Sequence, residues 1–252
     1  MDEYEASRYK NRIRVQVDRL HELLNTIKPK RGNFLLPDLT GRIIWNATAI
    51  TNSISQLAYN NNDYGVQSLI RKQFECYLLL DLLLTSSDQS KLIAKIMAYE
   101  FFDFDGHRNT FTFQGHTKPT KEEAIDAVKK VVEGFKEDKK IVDYFISAIS
   151  SKKKHWHWSE QSFDNIIKRK FNPADEFERE SLKQRLSLYE LYNKSAHVDV
   201  HQDRLIDLPN GKIKYSSPLE QSTNILIGLL GLSLMINEDI FDLVEEHRKN
   251  IG

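Results

Sequence analysis

The chain of 252 residues carries 36 basic and 36 acidic side chains, so its zero net charge gives no global electrostatic reason for nucleic-acid binding. A hydrophobic fraction of 40% with 10% aromatic residues excludes a disordered chain. The one cysteine, Cys76, excludes an intrachain disulfide and lies in an apolar run, where we expect a buried and unreactive thiol.

The sequence predicts no membrane segment. Residues 1–20 are charged throughout and lack the apolar stretch of a secretory signal. The most apolar segments, 74–84 and 225–236, are shorter than the roughly 18 residues that a membrane-spanning helix needs. We therefore expect a cytoplasmic protein without membrane contact.

Apolar residues at alternating spacings of three and four predict a first helix from about residue 3 to residue 28. The stripe consists of Ile13, Val17, Leu20, Leu24 and Ile27. Helix breakers follow at Pro29, Gly32 and Pro37. A second helix is predicted to begin at Asp38 or Thr40, either of which can cap it.

A third helix is predicted to begin at Asp63, its expected cap, after the asparagine-rich turn 60–62. It is apolar nearly all round towards its end, which is typical of the central helix of a bundle. A fourth helix is predicted from Ser87 or Asp88 to Phe104.

Thr120 and Glu123 form a capping box, which predicts a helical stretch to Ser150 with a break near 136–138. Three further helices are predicted at about 159–170, 175–197 and 217–249. The Asn-Gly dipeptide at 210–211, between two short alternating runs, predicts a β-hairpin.

These elements predict an all-α multi-helix bundle with one small β-hairpin near residues 204–215. We expect a single helical domain over residues 1–252. Its predicted parts are an N-terminal helix at 1–30, a core bundle at 40–200, the hairpin at 204–215 and a C-terminal helix at 217–249.

The end of the long helix predicted at 175–197 gathers polar side chains that suit acid–base chemistry on RNA. A histidine side chain ordinarily titrates near neutral pH, so His197 could take the proton of a 2′-hydroxyl group. Lys194 lies on the same helical face, and Tyr192 or Ser195 could donate a hydrogen bond to a phosphate oxygen. The alternative is structural: His197 caps a helix end, and the other polar groups hold the bundle together.

Arg71 and Glu75 lie one turn apart on the apolar third helix, so they should face the same side and form a pair. Arg71 could neutralise charge that develops on a phosphate if its helix packs beside the late cluster. A pair that only stabilises the bundle fits the same spacing, since a buried charge needs a partner.

The segment 151–170 is the best local signal for nucleic-acid binding. Lys152, Lys153 and Lys154 precede Trp156, and basic groups beside an aromatic ring can hold phosphates and stack bases. The alternative is that the tryptophans of this segment pack into the core while the lysines stay solvated.

No cofactor is predicted. His197 and His201 are four residues apart and are candidate zinc ligands, but no third ligand is evident. The sequence holds neither a glycine-rich phosphate loop nor the Glu-x-x-His motif of di-iron bundles.

Three segments, 67–80, 156–166 and 189–197, occur in the order found in a bacterial family of unknown function. They carry an Arg-x-x-x-Glu helix, a tryptophan followed by a short helix, and a late motif with tyrosine, serine and histidine. Over roughly residues 45–235 the chain resembles this family, which is similar to the HEPN-like helical domains.

The resemblance implies a toxin or antiviral-defence protein, because many HEPN-like domains are metal-independent ribonucleases of such systems. It also implies a homodimer and an RNA ligand, with a partner or antitoxin protein as a further candidate. The usual HEPN motif places arginine four to six residues before histidine, whereas Arg185 lies twelve residues before His197. This difference favours the alternative function, a non-catalytic helical binding module that senses nucleic acid, a nucleotide or a partner protein.

Overall fold

The structure is a computed structural model, and it describes residues 3–104, 117–151, 205–207, 213–215 and 218–251. Within these residues the fold is an all-α multi-helix bundle with a small hairpin, as predicted. The helices are α1 (Glu3–Thr26), α2 (Leu35–Tyr59), α3 (Asp63–Thr85), α4 (Gln89–Phe102), α5 (Lys121–Phe135), α6 (Lys140–Ser150), α7 (Pro218–Glu246) and α8 (Arg248–Ile251). No helix in this described part is both long and apolar enough to cross a membrane.

The hairpin consists of β1 (Leu205–Asp207) and β2 (Ile213–Tyr215), which pair in antiparallel register. Leu205 lies opposite Tyr215, and Asp207 lies opposite Ile213. The antiparallel pairing of β1 with β2 confirms the predicted hairpin. The helices predicted at 159–170 and 175–197 lie outside the described residues.

The helices divide into two compact units. Unit 1 contains α1, α2 from Arg42 onwards, α3 as far as Leu80, and α7. Unit 2 contains residues 27–41, the end of α3, and α4, α5, α6 and α8. That residues 1–252 form a single domain stays a prediction.

In unit 1, α1 packs along α7. The predicted stripe of α1 is largely buried, with Ile13 and Leu20 fully enclosed, although Leu23 replaces Leu24 as its last buried residue. Side chains from the other helices complete this core: Ile44, Ala47, Ile54, Val66, Leu78, Leu226, Leu229 and Ile240. Each fully buried leucine or isoleucine contributes roughly 1.5–3 kcal/mol through the removal of apolar surface from water.

In unit 2, α6 packs against both α4 and α5. Its strongly amphipathic sequence places Ile141, Phe145 and Ile149 on one buried face at spacings of four. They meet buried residues of the neighbouring helices: Ile93, Ala94 and Met97 of α4, and Ala124, Val128 and Val132 of α5.

Local caps fix several helix ends where the sequence predicted them. The Asp88 side chain accepts from the backbone N–H of Lys91 at the start of α4. Thr120 and Glu123 form the predicted capping box at the start of α5. Lys136 adopts the left-handed conformation with φ of 58° and ends α5 inside the predicted break.

Two helix starts differ from the prediction. The third helix is capped by Asn62 rather than Asp63, because the Asn62 side chain accepts from the N–H of Gly65 at 2.9 Å. The second helix begins at Leu35, before the predicted Asp38 or Thr40. Pro37 lies in its first turn, where the missing N–H of a proline costs nothing.

Candidate functional site

Arg71 and Glu75 on α3 form the ion pair that their spacing predicts. The Nε of Arg71 donates to Oε1 of Glu75 at 2.9 Å. Their side chains are 33% and 30% exposed, so the pair is half-buried at the surface of unit 1. A pair of this kind at i, i+4 stabilises a helix by only about 0.3–0.5 kcal/mol, and its chief effect is to orient the guanidinium group.

Cys76 follows this pair and is buried, as expected. Burial in unit 1 and, to a smaller extent, the negative charge of Glu75 together raise the pKa of the thiol to about 12. Because the thiolate is the reactive form of cysteine, this side chain is inert at neutral pH.

The remaining predicted site residues lie outside the described residues. They are Tyr192, Lys194, Ser195, His197, His201, Lys152, Lys153, Lys154 and Trp156. The approach of Arg71 and Glu75 to the late cluster therefore stays a prediction. Within the described ranges, no group of three or more histidine, cysteine, aspartate or glutamate side chains could hold a metal ion.

A buried network of neutral polar groups, which the sequence did not predict, crosses the core of unit 1. Nε2 of Gln73 on α3 donates to Oδ1 of Asn237 on α7 at 2.8 Å and to Oγ1 of Thr51 on α2 at 3.0 Å. Nδ2 of Asn237 donates to Oε1 of Gln16 on α1 at 2.7 Å. Amide and hydroxyl groups thus connect the four helices of this unit that the structure describes, α1, α2, α3 and α7, and the network itself contains no charged group.

The network reaches the surface at Gln16. Nε2 of Gln16 donates to Oε1 of Glu238 at 2.9 Å and to the backbone oxygen of Leu234 at 3.2 Å. The same oxygen of Glu238 accepts from Nη1 of Arg19 at 2.8 Å. The guanidinium of Arg19 also lies over the ring of Phe241, 4.1 Å from its centroid. The buried Gln16 therefore holds the Glu238 carboxylate of the exposed Arg19–Glu238 pair through a hydrogen bond from the protein interior.

Two buried polar atoms, one in the network and one next to it, have no hydrogen-bond partner within the described part of the chain. These are Oε1 of Gln73 and Oγ of Ser233, and both residues are fully buried. An unsatisfied buried polar group costs about 1–3 kcal/mol. The amide groups of Gln73, Asn237 and Gln16 are thus linked by hydrogen bonds, whereas Oε1 of Gln73 and Oγ of Ser233 lack a partner among the described residues.

Above the network, α1 and α7 border an open groove of about 490 Å³. Its lining includes Tyr4, Arg8, Arg12 and Arg19 from one face of α1, and Leu234 and Glu238 from α7. The volume falls within the usual range for ligand sites, about 300–1,000 Å³. Three guanidinium groups face one carboxylate, so the groove carries an excess of positive charge.

The sequence offered a partial signal for this groove. Tyr4, Arg8, Arg12 and Arg19 share one helical face, but an arginine-bearing face of an amphipathic helix usually only meets solvent. Gln16 interrupts an otherwise apolar buried face, which marks it as a polar residue in need of partners.

Comparison with known proteins assigns the chain to no family. No protein-family model matches it, and neither a curated protein nor a solved structure is significantly similar to it.

Proposed function

We propose that this chain is a HEPN-like toxin or defence-related protein of the cytoplasm that acts on RNA. The observation that carries the proposal is the half-buried Arg71–Glu75 pair. Its carboxylate holds the Arg71 guanidinium at 2.9 Å on an apolar helix, while a third of the arginine side chain remains exposed. A partly exposed guanidinium group suits a phosphate ligand, since guanidinium groups bind phosphate oxygens with two parallel hydrogen bonds.

The proposed activity is metal-independent cleavage of RNA. His197 would take the proton of the 2′-hydroxyl group, and the 2′-oxygen would displace the 5′-oxygen of the next nucleotide from phosphorus, leaving a 2′,3′-cyclic phosphate and a 5′-hydroxyl group that takes its proton from water. Arg71 and Lys194 would stabilise the negative charge that develops on the phosphate. Tyr192 or Ser195 would donate to a phosphate oxygen, and Glu75 would keep Arg71 in position. The second candidate is a non-catalytic module that uses the same cations to bind RNA, a nucleotide or a partner protein.

A cleavage assay separates the two candidates. Purified protein is incubated with total RNA and labelled tRNA in EDTA, and binding to the same tRNA is measured by anisotropy. We expect the wild type to cleave, and His197→Ala and Arg71→Ala to lose cleavage at least about tenfold. Lys72→Ala is the matched control, because it removes an exposed cation next to Arg71 on the same helix.

Each outcome assigns a function. Cleavage by the wild type and Lys72→Ala alone would establish the ribonuclease. Binding without cleavage, reduced by Arg71→Ala and not by Lys72→Ala, would establish the binding module. Neither binding nor cleavage would refute a function on RNA.

We also propose that the chain forms a homodimer, with an antitoxin-like protein as an alternative partner. Two large apolar side chains of unit 1 support a protein contact, since Trp45 on α2 is 60% exposed and Met235 on α7 is 43% exposed. Light scattering of the wild type and of Trp45→Ser tests this proposal. A monomeric wild type would exclude the homodimer.

A further inference from the structure

We propose that the groove between α1 and α7 is a separate binding site for the phosphate backbone of a single nucleic-acid strand. This inference rests on the proposed function in so far as the ligand is RNA. It concerns different residues, Arg8, Arg12 and Arg19 of α1, and does not need Arg71 or His197 to be catalytic.

The charge of the groove is available to a ligand. Neither Arg8 nor Arg12 pairs with a carboxylate anywhere in the described part of the chain, and both are exposed. Arg12 has only a distant ring contact, with its guanidinium 5.8 Å from the centroid of Tyr9. An incoming phosphate can therefore bind both arginines without breaking an ion pair to any of the described residues.

The spacing of the arginines matches a polynucleotide. Because a helix rises about 1.5 Å per residue, Arg8 and Arg12 are about 6 Å apart along α1, and Arg19 lies about 10 Å further. The face from Tyr4 to Arg19 is thus about 22 Å long. A stacked strand advances about 3.4 Å per nucleotide, so this face would cover about six nucleotides. Cations distributed over that length suit a chain of phosphates better than a single small anion.

The lining favours a nucleic acid over an acidic helix of a partner protein. A docked helix needs a continuous apolar seam, whereas Val15 and Leu234 are the two aliphatic side chains in a lining that is otherwise aromatic, polar or charged. At one end of the groove, Tyr4 is 78% exposed. An exposed aromatic ring beside cations is the arrangement on which single-stranded bases stack.

Contacts within the protein already orient the arginine at the far end of the groove, Arg19, in the absence of a ligand. Arg19 is held by Glu238 at 2.8 Å and rests on Phe241, while the buried Gln16 fixes the same carboxylate from the interior. A preorganised site loses less side-chain entropy when its ligand binds. Arg19 is thus held in place at one end of the groove. Arg8 and Arg12 supply positive charge that no carboxylate of the described residues neutralises.

Binding of a labelled dT12 oligonucleotide and of the matching U12 tests the proposal by fluorescence anisotropy over a range of salt concentrations. The DNA strand has no 2′-hydroxyl group, so cleavage cannot disturb the measurement. We expect Arg8→Gln with Arg12→Gln to weaken binding about tenfold or more, and to reduce the slope of log Kd against log salt by about 1.4, since each contact to a single strand contributes about 0.7. Tyr4→Ala should weaken binding about fivefold or more, whereas Tyr4→Phe should not.

Arg14→Gln is the matched control, because Arg14 is exposed on the same helix but does not line the groove. It should bind like the wild type. Equal binding by the Arg14 variant and the Arg8/Arg12 variant would overturn the proposal, as would binding of an acidic helical peptide in place of dT12. All the substituted arginines are exposed, and circular dichroism verifies that each variant is folded.

The two proposals fail separately. If Arg71→Ala abolishes cleavage while the Arg8/Arg12 variant binds and cleaves like the wild type, the binding site in the groove is refuted and the proposed ribonuclease activity stands. If the wild type cleaves nothing but binds dT12 through Arg8 and Arg12, the groove stands alone. If the wild type binds neither dT12 nor U12, the binding site in the groove is refuted.

Discussion

Gln73 on α3 and Asn237 on α7 are fully buried, and a hydrogen bond of 2.8 Å joins their carboxamide groups. Gln73 also donates to Thr51 of α2, and Asn237 also donates to Gln16 of α1. These groups would hydrogen-bond to water in the unfolded chain, so forming the network stabilises the fold only modestly. Removing one member is costly, because its partners stay buried without a bond.

Asn237→Ala should therefore lower the free energy of unfolding by about 2–4 kcal/mol, since it leaves Oε1 of Gln16 and one donor of Gln73 unmatched. Urea denaturation followed by circular dichroism measures this loss. Asn46→Ala, at an exposed position on α2, should change stability by less than about 0.5 kcal/mol. Similar losses in both variants would contradict a structural role for the network.

Ser233→Ala should change the free energy of unfolding in the opposite direction to Asn237→Ala. Its hydroxyl is fully buried and has no partner among the described residues, so its removal abolishes a desolvation cost. We expect the free energy of unfolding to rise by about 0.5–1 kcal/mol. Ser7→Ala, at an exposed position of α1, measures the gain in helix propensity alone. A gain at Ser233 no larger than that at Ser7 would show that the hydroxyl is satisfied.

The predictable part of this fold depends on signals that lie close together in the sequence. Asp88 and the pair of Thr120 and Glu123 cap their helices within a few residues of the helix start, so local sequence predicts them. Ile13 and Leu20 are buried because their helical spacing puts them on one face. The hairpin followed in the same way from a dipeptide and its two neighbouring runs.

Features that depend on distant residues could not be predicted. Gln16 is bonded to Asn237 across 221 residues, and nothing near either residue identifies the other. The spacing of Arg71 and Glu75 predicted their pairing, but the exposure that leaves Arg71 accessible depends on how the surrounding helices pack. The groove likewise could not be predicted, because it forms only where α7 packs beside α1 and its lining comes from both helices.

The start of α2 depends on one such distant residue, Glu137. Its Oε1 accepts from the N–H of Leu35 at 3.2 Å and from that of Phe34, a residue whose ring also stacks on Phe135 at 3.8 Å. Glu137→Ala should lower the free energy of unfolding by about 1–2 kcal/mol, as for other lost helix caps. Glu137→Gln, which keeps an acceptor oxygen, should lose less.

Glu133→Ala is the control for this experiment, because Glu133 is an exposed residue of α5 one turn before Glu137. It should leave stability unchanged within about 0.5 kcal/mol. If Glu137→Gln and Glu137→Ala lose equally, the negative charge rather than the acceptor oxygen stabilises the start of α2.

Cys76 gives the stability of unit 1 a dependence on alkaline pH. Its pKa rises from 9.0 to about 12 on burial, so the folded state favours the protonated thiol more than the unfolded state does. The stability that this thiol contributes is complete below pH 9.0 and decreases as the pH rises towards 12, because the unfolded chain then loses its thiol proton first. Raising the pH should therefore destabilise the wild type more than a variant without the thiol.

Urea denaturation of the wild type and of Cys76→Ala, at about pH 8 and about pH 10.5, measures this effect. All lysine and tyrosine titrations are common to both proteins and cancel in the difference between them. We expect the stability of the wild type relative to the variant to fall by about 1–2 kcal/mol between the two pH values. A difference independent of pH would mean that the thiol ionises in the folded state as readily as in the unfolded chain, and that Cys76 is accessible to solvent.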